Sequence, residues 1–410
     1  MAPNNISEIT MVIPSYWARP TAIGHQQGDT IYDHPTPLDQ EGTLRRTLES
    51  LNTLSFKQFQ VCVLAVPTHY DIGDEVADKI KSIAASVNCP IKINVFSVSG
   101  EAKLHDYLKS KNRFDKFNLF RLKGYSPVRN MCLLAAHLMG SKIAIFIDDD
   151  EVFEDPEYLT KAVEYIGTLK DGRQISAIAG YYINPDGDYL LNRPVAPWMT
   201  YWNKIENMNK AFRQMIGSPP RIKKTPFVFG GNMVIHKKLW LEVPFDPGVP
   251  RGEDIDFLCN AGMFGYDFYL DNQLSIKHLP PPKSHSKWQQ IREDMLRFIY
   301  MHKKINCQKD LPNMNRLSKS DFDPYPGAFI GDDLKDMIFK ANTMLAEELL
   351  AEGDINGFKE CQKNIMIGYD ALNANLDPFQ TLLDIKTGWS SIMESLDNEE
   401  ARNELAECFI

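Results

Sequence analysis

The chain reads as an α/β protein: a mostly parallel sheet flanked by helices, followed by a C-terminal α-helical region. Three observations carry this. Short apolar runs rich in β-branched residues recur at residues 9–15 (ITMVIPS), 60–67 (QVCVLAVP) and 91–98 (IKINVFSV), and such runs read as strands buried on both faces. Between them lie stretches with helical periodicity, and strand, helix, strand, helix, strand is the pattern of a parallel sheet. Beyond residue 331 the periodicity is helical throughout. The division expected is a sheet domain at 1–303, a linker at 304–331 and a helical region at 332–410.

A chain of 410 residues with 43% hydrophobic content is long enough for a large core and an appendage. The net charge of -9 argues against nucleic acid as a partner, because nucleic-acid binders carry a basic excess. Seven cysteines without a CxxC pair point to reduced thiols. The opening residues MAPNNISEIT have neither the basic region nor the apolar stretch of a signal peptide, and no apolar run approaches the ~20 residues that span a bilayer. A cytoplasmic protein is expected, with peripheral membrane contact left open.

In order, residues 9–15 form a first strand, and the aperiodic stretch 16–40 is long enough to be either a functional or a mobile loop; His25, Asp29, Tyr32, Asp33 and His34 lie in it. Residues 43–54 place Leu44, Leu48 and Leu51 on one helical face. The run 60–67 is the second strand, 75–87 a helix and 91–98 the third strand. Residues 123–140 (KGYSPVRNMCLLAAHLMG) form a helix apolar nearly all round. Arg129 sits in its first turn, where the helix dipole disfavours a cation, so either a structural salt bridge or an anionic ligand accounts for it.

The next strand, 143–151 (IAIFIDDDE), ends in consecutive carboxylates. On an extended segment Asp148 and Asp150 point the same way, suited to a divalent ion or, alternatively, to a solvated acidic turn. Ligands of open α/β sheets sit at the carboxyl ends of strands, so Pro14, Pro67 and Asp148 are expected to converge on one crevice.

Residues 176–183 are a further strand, followed by a proline- and aromatic-rich stretch whose Trp198, Tyr201 and Trp202 serve either the core or a sugar-binding platform. In FVFGGNMVIH (227–236), Gly230 and Gly231 imply close backbone approach. Glu253, Asp254 and Asp256 occupy the first turn of a helix, as capping charges or with one of them as a base. His278 ends the strand at 266–278 before Pro280, Pro281 and Pro282, and is either structural or a ligand. The helix at 286–304 carries an apolar stripe, and 332–410 reads as three or four amphipathic helices with breaks near Gly353, Pro378 and Asp397, open to roles in homo-oligomerisation, membrane proximity or lid formation.

The ordered set ITMVIPSY, GYSPVRN, IFIDDDE, FGGNMVIHKKLW, RGEDIDF and the later histidine resembles the GT-A glycosyltransferases, particularly the nucleotide-sugar enzymes around family 2, over roughly residues 9–280. The resemblance implies a DxD motif at IFIDDDE. Asp150 and His278 would be ligands of Mn²⁺ or Mg²⁺. Asp148, Pro14, Tyr16, Pro67, Arg129 and Gly231 would contact the donor, a UDP-hexose by preference or GDP-mannose. Asp254 would be the general base for direct, inverting attack by a hydroxyl of a glycan or small-molecule acceptor, and Glu253 would orient it or bind the acceptor. Retaining GT-A enzymes of the glucosyl- and mannosylglycerate synthase type also place a histidine after the last sheet strand. A processive synthase is not implied, since QQIR at 289–292 lacks a following tryptophan. A sugar-nucleotide nucleotidyltransferase is the second enzyme class, but it needs a glycine-rich loop after the first strand and PSYWARP has none. A non-catalytic nucleotide-binding module would be expected to lack one of Asp148, Asp150, Asp254 or His278, all of which are present.

Overall fold

The structure, a computed structural model, describes residues 8–112, 118–281 and 286–410; the leader reading of residues 1–7 and Pro282 fall outside the described residues. Its strands in chain order are β1 (Ile9–Ala18), β2 (Thr36–Pro37), β3 (Gln60–Pro67), β4 (Ile93–Phe96), β5 (Ile143–Phe146), β6 (Glu151–Val152), β7 (Leu169–Lys170), β8 (Arg173–Gln174), β9 (Ala177–Ile183), β10 (Ile222–Lys224), β11 (Met233–His236) and β12 (Phe268–His278). Ten of them form one sheet in the order β10-β12-β9-β11-β5-β1-β3-β4, with β2 beside β1 and β6 beside β12. The half β5-β1-β3-β4 is wholly parallel. The strand β11 then enters antiparallel between β5 and β9, and β12 returns parallel to β9. The protein is thus α/β with a mixed, mostly parallel sheet.

The central strands are apolar on successive residues because both faces are covered. Val12 packs into the core shared with the helices Tyr125–Leu138 and Lys287–Asn306, while its neighbours Met11 and Ile13 pack on the opposite face with Leu44, Leu48 and Ile80. The first strand does not stop at its proline. It runs to Ala18, paired with β3 from Thr10 to Trp17. Pro14 fits because the ladder with β5 ends at Val12, whose carbonyl accepts from Ile147 N–H. Two residues on, the missing N–H of Pro14 faces that same side, where no partner strand continues.

The helical residues 332–410 share the main core. Phe379, Leu382, Trp389 and Ile392 are buried in the same cluster as Val12 and Phe146. The Trp389 indole stacks on Phe120 with centroids 5.2 Å apart and donates to the Trp240 carbonyl at 2.7 Å. At the chain end Ile410 exchanges both main-chain hydrogen bonds with Val95 on β4, so the terminus covers the edge of the sheet, a site otherwise open to intermolecular pairing. Residues 304–331 are built into this core as well: Phe322, Tyr325, Phe329 and Ile330 are buried in it. Lys304 is wholly enclosed and paired with Asp246 at 2.9 Å and Asp256 at 2.6 Å. The C-terminal helices, Leu334–Ala351, Ile355–Asn373, Pro378–Ser395 and Glu399–Glu404, break where Gly353, Pro378 and Asp397 suggested. Among the described residues no helix is long and apolar enough to cross a membrane. All seven cysteines are free thiols.

Trp389 tests whether the C-terminal helices fold with the sheet. Trp389→Ala removes a fully buried indole and its hydrogen bond, and should lower the unfolding free energy by ~3–5 kcal/mol in a single denaturant transition; an unchanged midpoint, or a separate early transition, would mean the helices fold independently.

Candidate active site

A cavity of about 460 Å³ opens at the carboxyl ends of β1 and β5. Of the residues singled out from the sequence, Tyr16, Arg129, Asp148, Asp150, Glu253, Asp254 and His278 line it, and so do Tyr32, Asp33 and His34 from the long loop. Pro14 and Pro67 are not in its wall. Both are buried strand residues, paired with Leu64 and Trp17 respectively, and it is Tyr16, two residues beyond Pro14 on β1, that lines the cavity. That ring packs against Tyr32 and Tyr125 at centroid distances of 4.5 and 5.7 Å, and its hydroxyl is buried without a hydrogen-bond partner. Gly231 lies just behind the wall, while Gly230 is part of it.

Arg129 is the electrostatic centre. The residue is 4% exposed; its guanidinium lies over the Phe146 ring and pairs with Asp148 at 2.9 Å and Glu253 at 3.3 Å. Burial works against the cation, but Asp148 above all keeps it charged. Its Nη1 has no partner among the protein groups. The two adjacent glycines are required here: a Cβ on Gly230 would lie 2.9 Å from Arg129 Nη2, and one on Gly231 would overlap the carboxyls of Asp148 and Glu151. The close approach implied by the glycine pair is therefore to the protein's own site carboxylates.

The four consecutive carboxyls separate. Asp150 faces the cavity with its Oδ2 3.4 Å from His278 Nε2; burial pushes its pKa up, but the hydrogen bond and charge of His278 outweigh that and hold it below the usual carboxylate range. Asp149 also lines the cavity but accepts from Ser15 Oγ at 2.5 Å, and burial together with the Asp150 charge raises it to about 8. Glu151 is fully buried, accepts from the Asp148 N–H at 3.1 Å, and burial drives it well above the ordinary range. Asp150 and His278 meet because β6 pairs with β12 in a register that sets Glu151 opposite His278.

The helix Glu253–Met263 begins after Gly252 in the left-handed region at φ 73°, and a side chain there would collide with the Arg297 guanidinium. Its first-turn acids have three fates. Glu253 is buried against Arg129, and Asp256 belongs to the Lys304 network. Asp254 is half-buried in the cavity wall, its carboxylate accepting from Ile255 N–H. Burial pushes Asp254 up; burial and then the Asp254 charge push Glu253 up to about 7.

Several wall residues went unread in the sequence. The helix Lys204–Met215 brings Lys204, Met208 and Phe212, and the helix Lys287–Asn306 brings Gln290, Asp294 and Arg297. Asp294 is shared by Lys204 at 2.5 Å and Arg297 at 2.8 Å. Burial opposes its charge, yet Lys204 and Arg297 hold it down to about 2. Arg251 joins the loop residue Asp33 to Glu293. The spacing of Ile205, Met208 and Phe212 was the available signal for the first helix. Of the two roles open to Trp198, Tyr201 and Trp202, the core is the one taken by Trp198 and Trp202, the latter against Phe298 and Phe329, and none of the three is in the wall. Tyr182, Tyr189 and Phe229 supply the aromatic surface instead.

No protein-family model matches the chain, and no curated protein does. Among solved structures, the chain is similar to the mannosyltransferase PcManGT from Pyrobaculum calidifontis in complex with GDP-Man and Mn²⁺, at 11% identity and TM-score 0.47 over 96% of this chain and 87% of that one. It is also similar to GalNAc-T7 with UDP, GalNAc and Mn²⁺, at 12% identity and TM-score 0.37 over 82% and 55%. A third is glucosyl-3-phosphoglycerate synthase from Mycobacterium tuberculosis with Mn²⁺ and UDP-glucose, at 12% identity and TM-score 0.35 over 76% and 86%.

The buried Asp294 makes the acid limb of stability testable. Because its folded pKa lies below the unfolded value, its contribution is present above about pH 4 and is lost as pH falls through about 2. Wild-type unfolding free energy should drop by roughly 2 kcal/mol across that window. Asp294→Asn should start lower and lack that part of the slope; an identical slope in both proteins would refute the assignment.

Proposed function

We propose that the protein is a metal-dependent GT-A-type glycosyltransferase that moves a hexose from a nucleoside diphosphate sugar, a UDP-sugar before GDP-mannose, to a hydroxyl of a glycan or small molecule. The observation that carries this reading is the pairing of Asp150 with His278 in a cavity whose wall also presents Asp254. Among the described residues, no group of three or more His, Cys, Asp or Glu side chains is arranged to hold a metal, so the protein would supply two ligands. Their 3.4 Å separation is close to the ~3 Å between neighbouring ligands of an octahedral ion. An imidazole with a carboxylate suits Mn²⁺, and two protein ligands leave positions for diphosphate oxygens and water. When bound, the ion would supply Lewis-acid stabilisation of the departing diphosphate.

The chain's own residues account for the remainder. The buried guanidinium of Arg129, with Nη1 unpartnered, is the fixed positive charge beside Asp148 and suits developing negative charge on a leaving group in a low-dielectric cavity. Tyr16 offers a ring and a buried hydroxyl where a base or ribose would lie. Asp254 would take the proton of the acceptor hydroxyl: its raised pKa brings it nearer to neutrality, where a carboxylate is the more effective base. Attack on the face opposite the leaving group would invert the anomeric configuration. Glu253, held by Arg129, would position rather than exchange protons.

A thermal-shift panel of UDP- and GDP-sugars with and without Mn²⁺ tests the reading directly. The matching donor at 100 times its Kd should stabilise the protein by about 2.7 kcal/mol, and only with metal; no shift with any donor in any metal would end the proposal. Asp150→Ala and His278→Ala should each abolish the Mn²⁺-dependent part. For the base, Asp254→Asn should retain donor binding while turnover falls by about 10²–10⁴. Substantial residual transfer with a retained anomeric configuration would move the assignment to a retaining enzyme.

A further inference from the structure

We propose that Tyr182 is a positioning residue that fixes the plane of the His278 imidazole and the Gly230–Gly231 loop together, so that the metal ligand and the donor-facing backbone form one rigid unit. The inference rests on the metal reading above and adds a residue to it.

Tyr182 lies near the end of β9, in register with Ile276 on β12, two residues before His278. Its ring makes three contacts that no other side chain of the cavity combines. It stacks on the His278 imidazole with centroids 4.6 Å apart and planes at 26°. Its hydroxyl oxygen accepts from the Gly231 N–H at 2.8 Å. It also packs against the Phe229 ring, tilted by 50° with centroids 4.7 Å apart. The imidazole, though its backbone is fixed by the pairing of His278 with Glu151, retains rotation about its side-chain bonds, and the face of the tyrosine ring removes that freedom. A metal-binding histidine whose ring is not oriented by its neighbours loses affinity, because the ordering cost falls on metal binding.

The loop on the other side of Tyr182 is anchored just beyond Gly231. Asn232, fully buried, donates to the carbonyls of Tyr181 and Leu274 and accepts from Tyr158 Oη at 2.6 Å. Gly180 accommodates this: a Cβ there would lie against the Leu274 carbonyl and the Asn232 amide, at the point where the β9–β12 register shifts. Asn232 therefore fixes the far end of the glycine pair, and Tyr182 is the group that fixes the near end. Since Gly231 packs on the carboxyls of Asp148 and Glu151, a loop displaced at Gly231 also releases the side chain paired with Arg129.

The two functions of the tyrosine separate by substitution. Tyr182→Phe keeps the stack and removes the acceptor for Gly231 N–H; Tyr182→Leu removes both. Mn²⁺ binding is read by calorimetry and by the electron paramagnetic resonance of the ion, in the presence of the donor identified for the wild type, alongside kcat and KM for that donor. Tyr182→Leu should weaken Mn²⁺ by about 10- to 100-fold. Tyr182→Phe should hold Mn²⁺ affinity within about twofold while donor KM rises roughly fivefold, the loss of one hydrogen bond. Tyr181→Phe, on the adjacent residue whose ring meets Tyr189 instead, is the control for general disturbance of β9. Should Tyr182→Leu fail to fold, the Tyr182→Phe split between metal affinity and KM still decides. Wild-type binding with both variants unchanged, or equal losses of Mn²⁺ affinity in both, would overturn the role of Tyr182 alone. A wild type that binds neither Mn²⁺ nor any nucleotide sugar would overturn the metal reading and this inference with it.

Discussion

A buried arginine holds the site together. Arg129 projects from the first turn of the helix Tyr125–Leu138, the end at which the helix dipole opposes a cation, and it is enclosed among aromatic and carboxylate groups. Neither burial nor the dipole favours it there. Two carboxylates outweigh both: Asp148 from the end of β5 and Glu253 from the start of the helix Glu253–Met263. Through one guanidinium, three segments separated by up to 124 residues are drawn to one point. The glycine pair follows from the same constraint, because only a residue without Cβ leaves room for the guanidinium on one side and the carboxyls on the other. Removing one member of such a buried group leaves its partners uncompensated, which costs more than the pair contributes.

The second constraint is strand register. Asp150 reaches His278 because two residues after Asp149 the chain pairs with β12, antiparallel, at Glu151. A slip by one residue would turn His278 to the opposite face of the sheet. Register there is fixed by Asn232 and by the irregularity between Leu270 and Ser275, which lets β12 pair with β9 on both sides of the shift. The polar centre of the sheet thus determines the geometry of the site at its rim.

Local features were legible in the sequence, and long-range ones were not. The strand at Gln60–Pro67 and the helix Tyr125–Leu138 follow from apolar runs and periodicity confined to their own residues. The ends of the C-terminal helices follow likewise from glycine and proline. The antiparallel entry of β11 and the two-residue β6 leave no periodic trace, since their pairing with β5 and β12 respectively depends on residues more than 80 positions away. The helix Lys204–Met215 was obscured by the prolines and aromatics around it, and with it went Lys204 and Phe212. Pro14 was read as a strand end because a proline lacks a ladder donor; in the folded sheet that deficit falls where β5 has already left, and Tyr16 becomes the exposed position. The tryptophans at 198 and 202 were equally apolar as core or platform, and sequence contains no term for which face they meet. What the acidic motifs did convey was proximity to one cavity. Which of Glu253, Asp254 and Asp256 faces it depends on Arg129 and Lys304, whose positions are set by packing.

The run Asp148–Asp149–Asp150–Glu151 illustrates how such a density of carboxyls is tolerated. A cation shared among them was the expected remedy, and Arg129 does pair with Asp148 while His278 adjoins Asp150. The other two are relieved differently. Asp149, raised to about 8, favours the protonated form at neutral pH and accepts a hydrogen bond from Ser15; Glu151, which burial drives well above the ordinary range, accepts one from the Asp148 N–H. Burial separates neighbouring groups of one chemical type into charged and neutral members. The separation follows from the backbone, since the turn between β5 and β6 directs the Asp149 carboxyl to Ser15 and the Asp150 carboxyl to His278. The charge left facing the cavity is carried by Asp148 and Asp150, the first bound to a guanidinium and the second beside an imidazole. Repulsion within the run is thereby reduced without dispersing the carboxylates that give the cavity its acidic side.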